Sequence, residues 1–309
     1  MKKMIGPYGA AALKNADLFK EINADTAWFH GFDEEAFNIC AQYGIQACVE
    51  FPTFRADYKK YPKLVPIGID GKPIHYGTHL QGVCLSNKKF LRDIEKRLKA
   101  GLAAFKPAGI WLDYMTYGGW FEDPAPKLQD SCFCKNCIKH FNEATGVNES
   151  DPLRIVSEHK NLWISHKCER IASFTKTYSN IIRSVNPDII IGMYMCPYTP
   201  DEYDGALRRI FAQDYELIAP YIDVFTPLIY CEKSGRGTDW GLKYLKASPG
   251  FVPPGKHVQL ILDFMDFPES MECCLSSNVP SKGIQMFSGS EIFTDKAYME
   301  AFARCAEVI

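Results

Sequence analysis

The feature that most constrains the fold of this 309-residue chain is a repeated alternation of short apolar runs and amphipathic stretches. Each run is strand-sized and rich in β-branched and aromatic residues, and a segment with helical periodicity follows it. Eight strands, each followed by a helix, are the pattern of an α/β protein with a (β/α)8 TIM barrel. The predicted strands cover residues 4–8, 26–32, 45–51, 109–115, 188–195, 224–230, 258–264 and 283–288.

The predicted helices carry recognisable start and stop signals. Ser86 or Asn87 can cap one helix, and Asp151 followed by proline opens a helical segment, in one or two pieces, that Pro187 ends. A long loop and helical insertion separates the fourth strand from the helix that follows it. The predicted helices cover residues 11–22, 33–43, 87–105, 151–186, 205–218, 240–246, 269–275 and 295–308.

An open, doubly wound sheet is the alternative arrangement of the same elements. It is disfavoured because no G-x-G-x-x-G phosphate loop follows an early strand. The runs are continuously apolar, as strands covered on both faces should be. No internal repeat or break in composition divides the chain, so we expect one catalytic barrel domain spanning residues 1–309.

The charge balance excludes several classes of function. The chain has 35 basic and 37 acidic side chains, a formal charge of −2, and no long basic run. We therefore expect no nucleic-acid partner. The longest apolar runs are too short to cross a bilayer, so we expect a cytoplasmic protein with no membrane partner. Its 13% aromatic content suits an enzyme for uncharged, polyhydroxylated substrates.

The barrel prediction indicates where to look for chemistry, because barrel active sites lie at the carboxyl ends of the strands. Carboxylates at these ends are Asp113 after strand 4, Glu232 after strand 6, and Asp263 and Asp266 after strand 7. Two facing carboxylates are what glycosidic bond cleavage requires. Asp113 lies within an apolar strand, where a charge is costly without a purpose. Asp113 could instead cap the next helix or pair with an arginine. Asp266 could take the catalytic role in place of Asp263.

A second set of residues is predicted to bind substrate. Aromatic faces stack on the apolar side of a sugar ring, and polar groups bind its hydroxyls. His30, Glu50 and Glu291 could equally be hydrogen-bonded structural groups, and Arg55 lies in a long loop over the same face. The full set is Trp28, His30, Glu50, Arg55, Trp111, Tyr114, Tyr117, Trp120, Tyr194, Tyr230 and Glu291.

A cysteine cluster predicts a metal site. Cys132, Cys134 and Cys137 form a C-x-C-x-x-C segment, and Cys84 lies on a loop at the same predicted face. Four thiolates with no open position would hold a structural zinc ion that pins two loops together. His140 is an alternative fourth ligand, and a chance cluster of free thiols is the other alternative.

This cysteine pattern resembles that of glycoside hydrolase family 42 β-galactosidases and related glycosidase-like barrels. Those proteins have C-x-C-x-x-C-x-x-x-F after the fourth strand, matched here from Cys132 to Phe141, with Cys84-Leu-Ser-Asn87 upstream. The likeness covers residues 75–147. Those β-galactosidases end the fourth strand with an Asn-Glu pair, which this chain lacks. Its Trp111-Leu-Asp113 is instead similar to the nucleophile strand of α-fucosidase and α-galactosidase barrels, which implies Asp113 as nucleophile.

These observations predict a glycoside hydrolase, exo-acting and retaining, that removes a galactoside- or fucoside-like terminal sugar from an oligosaccharide. Asp113 would be the nucleophile, and Asp263, Glu232 or Asp266 the acid/base. The alternative is a carbohydrate-binding barrel that has lost catalysis along with the Asn-Glu pair. A catalytic zinc is disfavoured because no H-E-x-x-H motif is present. A homo-oligomer is possible.

Overall fold

A computed structural model describes residues 3–76, 79–275 and 280–308 of the chain. Its centre is a set of eight parallel strands, which confirms the predicted fold. The strands start and end within two residues of the predicted positions. They are β1 (Met4–Pro7), β2 (Thr26–His30), β3 (Gln46–Pro52), β4 (Gly109–Asp113), β5 (Ile190–Met195), β6 (Val224–Ile229), β7 (Leu260–Asp263) and β8 (Gly283–Phe287).

The strand order shows a barrel rather than an open sheet. Each strand pairs in parallel with the next from β2 to β8, and β8 pairs with β1. The circle closes where Tyr8 bridges Trp28 and the Gly9 amide donates to the Trp28 carbonyl over 2.8 Å. The carboxyl ends of all eight strands therefore lie at one end of the barrel.

Helices surround the barrel. The predicted cap is confirmed at Asn87, whose side chain accepts from the Phe90 amide over 3.0 Å, and at Asp151, which accepts from the Leu153 amide. The helices are α1 (Glu34–Tyr43), α2 (Lys88–Ala104), α3 (Lys135–Thr145), α4 (Pro152–Glu158), α5 (Lys160–Val185), α6 (Glu202–Arg209), α7 (Tyr215–Ile218), α8 (Trp240–Ala247), α9 (Glu269–Leu275) and α10 (Lys296–Val308). None of the helices in the described part of the chain has the length and apolarity that a membrane span requires.

The helical segment over 151–186 forms the two helices α4 and α5, and two other predicted helices differ from the structure. The first, over 11–22, is a 3-10 helix (Ala10–Leu18). The predicted helix over 205–218 is divided into α6 and α7, because Ala212 has a left-handed φ of 57° that interrupts the helical path. Further 3-10 turns are Pro62–Leu64, Ala219–Tyr221, Ser248–Gly250, Phe264–Asp266 and Gly289–Thr294.

Two insertions cover the carboxyl end of the barrel. The loop after β3 forms a short antiparallel pair of strands, Arg55–Asp57 with Leu80–Gly82. The segment after β4 runs from Tyr114 to Cys134, directly before α3 begins, as the predicted insertion requires. A further two-residue strand, His257–Val258, pairs with β6.

Two tryptophans fill the barrel interior. Trp28 and Trp111 are fully buried and pack edge to face, with ring centroids 5.5 Å apart. Trp111 Nε1 donates to Thr226 Oγ1 over 2.8 Å. A side chain at Gly192 would place its Cβ 2.3 Å from Trp111 Nε1, so this glycine makes room for the indole. These tryptophans are therefore core residues beneath the site, and not the sugar-stacking surfaces that the sequence suggested.

Candidate active site

A cavity of about 520 Å³ lies at the carboxyl end of the barrel. This volume is within the range of roughly 300 to 1,000 Å³ that is usual for small-molecule sites. Its ionisable side chains are His30, Glu50, Arg55, Asp113 and Glu122. Its walls are mainly aromatic and include Tyr8, Tyr76, Tyr114, Tyr117, Trp120, Phe121, Tyr194, Phe211, Tyr230 and Phe287.

Glu50 near the end of β3 is a buried carboxylate held in its ionised form. The hydroxyl of Tyr8 donates to one of its oxygens, and His30 Nδ1 lies 3.1 Å from the other. Burial alone would raise the pKa of Glu50, but these hydrogen bonds and the His30 charge outweigh burial and lower it. Glu50 therefore carries a negative charge at the base of the cavity.

Asp113 ends β4 beside Glu50. The register aligns Asp113 with Pro52 of β3, and the Thr53 amide donates to the Asp113 carbonyl over 3.0 Å. Burial and the neighbouring Glu50 carboxylate raise the pKa of Asp113 well above its ordinary value. Of the two carboxyl groups, Asp113 is therefore the one whose surroundings favour the protonated form. A raised pKa suits a proton donor better than the nucleophile that the sequence suggested.

Glu122 is a third cavity carboxylate, and the sequence analysis missed it. It lies in the insertion after β4, where Trp120 Nε1 donates to its carbonyl over 3.2 Å. Burial raises the pKa of Glu122, and the positive charges of Lys233 and Arg55 act in the opposite direction. Its flanking aromatic residues in the Trp120-Phe121-Glu122 segment were the one sequence signal that could have pointed to it.

The structure brings most of the predicted substrate-binding residues together. Eight of them line the cavity with Asp113 and Glu122: His30, Glu50, Arg55, Tyr114, Tyr117, Trp120, Tyr194 and Tyr230. Trp28 and Trp111 lie beneath it. Glu291 is exposed in the 3-10 turn after β8 and does not line the cavity.

The three predicted acid/base candidates also lie outside the cavity lining. Asp263 is buried, and its carboxylate is 2.6 Å from Lys233 Nζ in an ion pair. Asp266 accepts hydrogen bonds from the amides of Cys231 and Glu232, at 2.7 and 2.9 Å, so it caps the loop after β6. Glu232 itself is exposed. The buried carboxylates of Asp263 and Asp266, which the sequence suggested as the acid/base, are thus held by a local ion pair and local hydrogen bonds.

The four predicted cysteine ligands lie together beside the cavity. The sulfurs of Cys84, Cys132, Cys134 and Cys137 are all within 4.8 Å of one another. Cys84 Sγ is 3.6 Å from Cys134 Sγ and from Cys137 Sγ. A tetrahedral zinc with bonds of about 2.3 Å requires sulfur separations of about 3.8 Å. The four thiols are not joined by disulfide bonds, so the cluster can hold a metal ion.

The surroundings of this cluster also fit a metal-thiolate centre. The Ile67 amide donates to Cys132 Sγ over 3.3 Å, and Ser86 Oγ lies 3.0 Å from Cys84 Sγ. Such outer contacts orient thiolates and offset their negative charge. His140, the alternative ligand, is not part of the group.

Comparison with known proteins supports the fold assignment. Neither protein-family models nor curated protein sequences match this chain. Among solved structures, it is similar to the PgaB (BpsB) glycoside hydrolase domain from Bordetella bronchiseptica. The TM-score is 0.74 at 11% identity, over 99% of both chains.

Two β-galactosidases are also similar in structure. The enzyme from Halorubrum lacusprofundi matches with a TM-score of 0.67 at 9% identity, over 98% of this chain and 57% of its own. The enzyme from Rahnella sp. R3 matches with a TM-score of 0.66 at 12% identity, over 100% and 56%. The chain thus spans a little over half the length of these β-galactosidases. At these identities the likeness shows the (β/α)8 barrel fold, and the relation to glycoside hydrolase family 42 stays a prediction.

Proposed function

We propose that this protein is a glycoside hydrolase whose reaction takes place in the cavity at the carboxyl end of the barrel. The observation that carries the proposal is the pair of neighbouring carboxyl groups of Glu50 and Asp113, whose pKa values are shifted in opposite directions in an aromatic-walled cavity. Glycosidic bond cleavage needs a protonated and an ionised carboxyl group in one site. The structural neighbours, which are glycoside hydrolases, have the same barrel.

In this mechanism Asp113 is the proton donor. Its proton passes to the glycosidic oxygen as the bond between that oxygen and the anomeric carbon breaks. Glu50 keeps the proton on Asp113 because its own charge is fixed by Tyr8 and His30. The aromatic walls pack against the apolar face of the sugar.

Glu122 supplies the second carboxylate. It attacks the anomeric carbon and forms a glycosyl-enzyme ester, which water hydrolyses after Asp113, now ionised, takes a proton from that water. The overall reaction adds one water across the glycosidic bond and retains the anomeric configuration. The size of the cavity favours a terminal sugar of an oligosaccharide, which is an exo-acting mode.

The four-cysteine cluster is proposed to hold a structural zinc ion. Cys84 precedes α2, and the other three ligands lie at the start of α3, so the metal joins the two insertions that cover the barrel end. A set of four thiolate ligands leaves no open coordination position, so the metal takes no part in the reaction.

The test is hydrolysis of a panel of aryl α- and β-galactosides, fucosides and glucosides by the wild type and Asp113→Asn. We expect the variant to lose about 10²- to 10⁴-fold in kcat/KM on substrates with poor leaving groups. The loss should be much smaller on dinitrophenyl glycosides, whose leaving group needs no proton. Asp123→Asn, which is on the same insertion but outside the cavity lining, is the matched control.

Other results would assign the residues differently. Rescue of Asp113→Gly by azide, with a glycosyl azide of inverted configuration, would make Asp113 the nucleophile. Binding of oligosaccharide without hydrolysis of any substrate in the panel, by a folded and metal-loaded protein, would favour the carbohydrate-binding barrel.

A further inference from the structure

Arg55 lies on the cavity wall at a position that the proposed mechanism does not use. Its backbone is fixed in the short strand Arg55–Asp57, where it pairs with Gly82. Its guanidinium carbon is 5.3 Å from the centre of the Tyr114 ring, which places the charged group against an aromatic wall. The side chain is thus held in place by a rigid element and a stacking contact.

The guanidinium of Arg55 lacks an acceptor for its buried Nε among the described residues. In the same ranges, no carboxylate oxygen lies within 4.0 Å of the Arg55 nitrogens, although Asp113 and Glu122 line the same cavity. A charged donor that is removed from water without an acceptor costs free energy. A ligand oxygen in the cavity cannot reach the buried Nε itself, but an anion against the terminal nitrogens would offset the charge of the guanidinium.

The charges around the cavity indicate which kind of ligand that is. The Glu50 charge is matched by Tyr8 and His30, and Lys233 is matched by Asp263. Burial and the Glu50 carboxylate favour the protonated form of Asp113. Glu122 lines the same cavity, but the proposed mechanism uses its carboxylate to attack the anomeric carbon, and it forms no ion pair with Arg55. The Arg55 charge is permanent, since arginine stays protonated in proteins, so it calls for an anion from the ligand.

On the basis of the proposed glycosidase function, we propose that the substrate is an acidic sugar, and that Arg55 binds its carboxylate. A uronic acid has a planar carboxylate in place of the hexose hydroxymethyl group. The guanidinium fork can donate two parallel hydrogen bonds to such a group, which it cannot do to a single hydroxyl. Arg55 is then a specificity-determining residue that selects uronides over neutral hexosides.

The test uses three nitrophenyl glycosides of one configuration that differ in charge: the hexoside, the uronide, and the 2-amino-2-deoxyhexoside. We expect the wild type to have a kcat/KM at least about 10-fold higher on the uronide than on the hexoside. Arg55→Met should lower kcat/KM on the uronide by about 30-fold or more, and by at least about 10-fold more than on the hexoside. Arg55→Lys, which keeps the charge but loses the fork, should fall between them.

Arg97→Met is the matched control. The Arg97 guanidinium carbon is also 5.3 Å from an aromatic ring, that of Phe51, but Arg97 does not line the cavity. The Arg97→Met variant should have the same preference among the three substrates as the wild type. An equal loss on uronide and hexoside in Arg55→Met would overturn the proposal, as would a wild-type preference for the amino sugar.

A binding measurement separates this proposal from the proposed function. Free uronic acid and the matching hexose are titrated into the wild type and Arg55→Met by calorimetry. Tighter binding of the uronic acid, lost in Arg55→Met, supports the acidic-sugar site even if no glycoside is hydrolysed. Hydrolysis of the neutral hexoside through Asp113, without any preference for the uronide or uronic acid, would leave the glycosidase function intact and remove this inference.

Discussion

Glu50 and Asp113 lie within hydrogen-bonding reach of each other on neighbouring strands, and their environments push their pKa values in opposite directions. Tyr8 and His30 stabilise the charge on Glu50, whereas Asp113 is half-buried next to that charge. When the environments of two carboxyl groups push their pKa values apart, one site can contain an acid and an anion at the same pH.

The first prediction concerns the pH dependence of kcat/KM. If Asp113 is the proton donor, activity falls as the pH rises through its raised pKa. Glu50→Gln removes the neighbouring negative charge, so the pKa of Asp113 falls and the basic limb moves to lower pH, by roughly 1 unit or more. A pH–rate profile of both proteins measures the shift. Glu291→Gln, which changes an exposed carboxylate outside the cavity lining, should leave the limb in place.

The second prediction concerns the contribution of Asp113 to stability at different pH values. Because its folded-state pKa is raised, Asp113 binds its proton more tightly in the folded protein, and stability is lost as the pH rises through that pKa. Asp113→Asn cannot ionise, so its melting temperature should exceed that of the wild type by about 2 °C or more at about pH 8. The difference should shrink at about pH 5. A variant that is less stable at both pH values would contradict the raised pKa.

The sequence was sufficient to predict the barrel because a parallel barrel needs apolar runs and helical segments in strict alternation. It was less informative about strand ends. The run over 109–115 continues two residues past β4, but the strand stops at Asp113 because Tyr114 takes a left-handed conformation with φ of 56°. Such a turn depends on the surrounding site and is not encoded in hydrophobicity.

The site was predictable only in part, and the carboxylates show why. Glu50 and Asp113 follow from their positions near the ends of strands. Asp263 ends a strand in the same way, yet it contacts Lys233 and accepts from the Met265 amide over 3.2 Å. A strand-end position does not distinguish a carboxylate that faces the cavity from one that is used locally. Glu122 lies in an irregular segment, where no periodicity marks the direction of a side chain.

Lys167 provides a prediction about the insertion that carries Glu122. Its ammonium group is fully buried, donates to the Asp130 carboxylate and the Arg209 carbonyl, and packs on the Trp163 ring. This contact ties α5 to the segment before the cysteines. Lys167→Met should lower the free energy of unfolding by about 3 kcal/mol, because Asp130 is left without its partner. Chemical denaturation measures the change.

Two variants test the origin of that loss. Adding Asp130→Asn to Lys167→Met should recover part of the stability, since no uncompensated charge then remains. Lys160→Met, on the same helix, removes an exposed ion pair with Asp204 and should change stability by less than about 0.5 kcal/mol. If Lys167→Met lowers the free energy of unfolding by as little as Lys160→Met does, the buried ion pair does not stabilise the insertion.

The cysteine cluster gives a prediction for metal content. The purified protein should contain one zinc per chain by elemental analysis, and Cys134→Ser should lose it. Removal of the ion should lower the melting temperature by about 8 °C or more, because a tightly bound ion stabilises the folded state by about 4 kcal/mol. Cys273→Ser, which changes another half-buried thiol, should retain the zinc. Turnover per folded molecule should not depend on the metal, and a folded, metal-free enzyme without activity would contradict a structural role.

Glu122 provides the last prediction, because it replaces the carboxylates that the sequence offered for the second role. Glu122→Gln should lower kcat by about 100-fold or more, since it removes a group that bonds to the anomeric carbon. Glu232→Gln and Asp123→Asn change carboxylates outside the cavity lining, so each should stay within about 3-fold of the wild type. Azide should restore turnover in Glu122→Gly and yield a glycosyl azide of inverted configuration, detected by nuclear magnetic resonance. If kcat falls further in Glu232→Gln than in Glu122→Gln, the second catalytic carboxylate is Glu232, in the loop after β6.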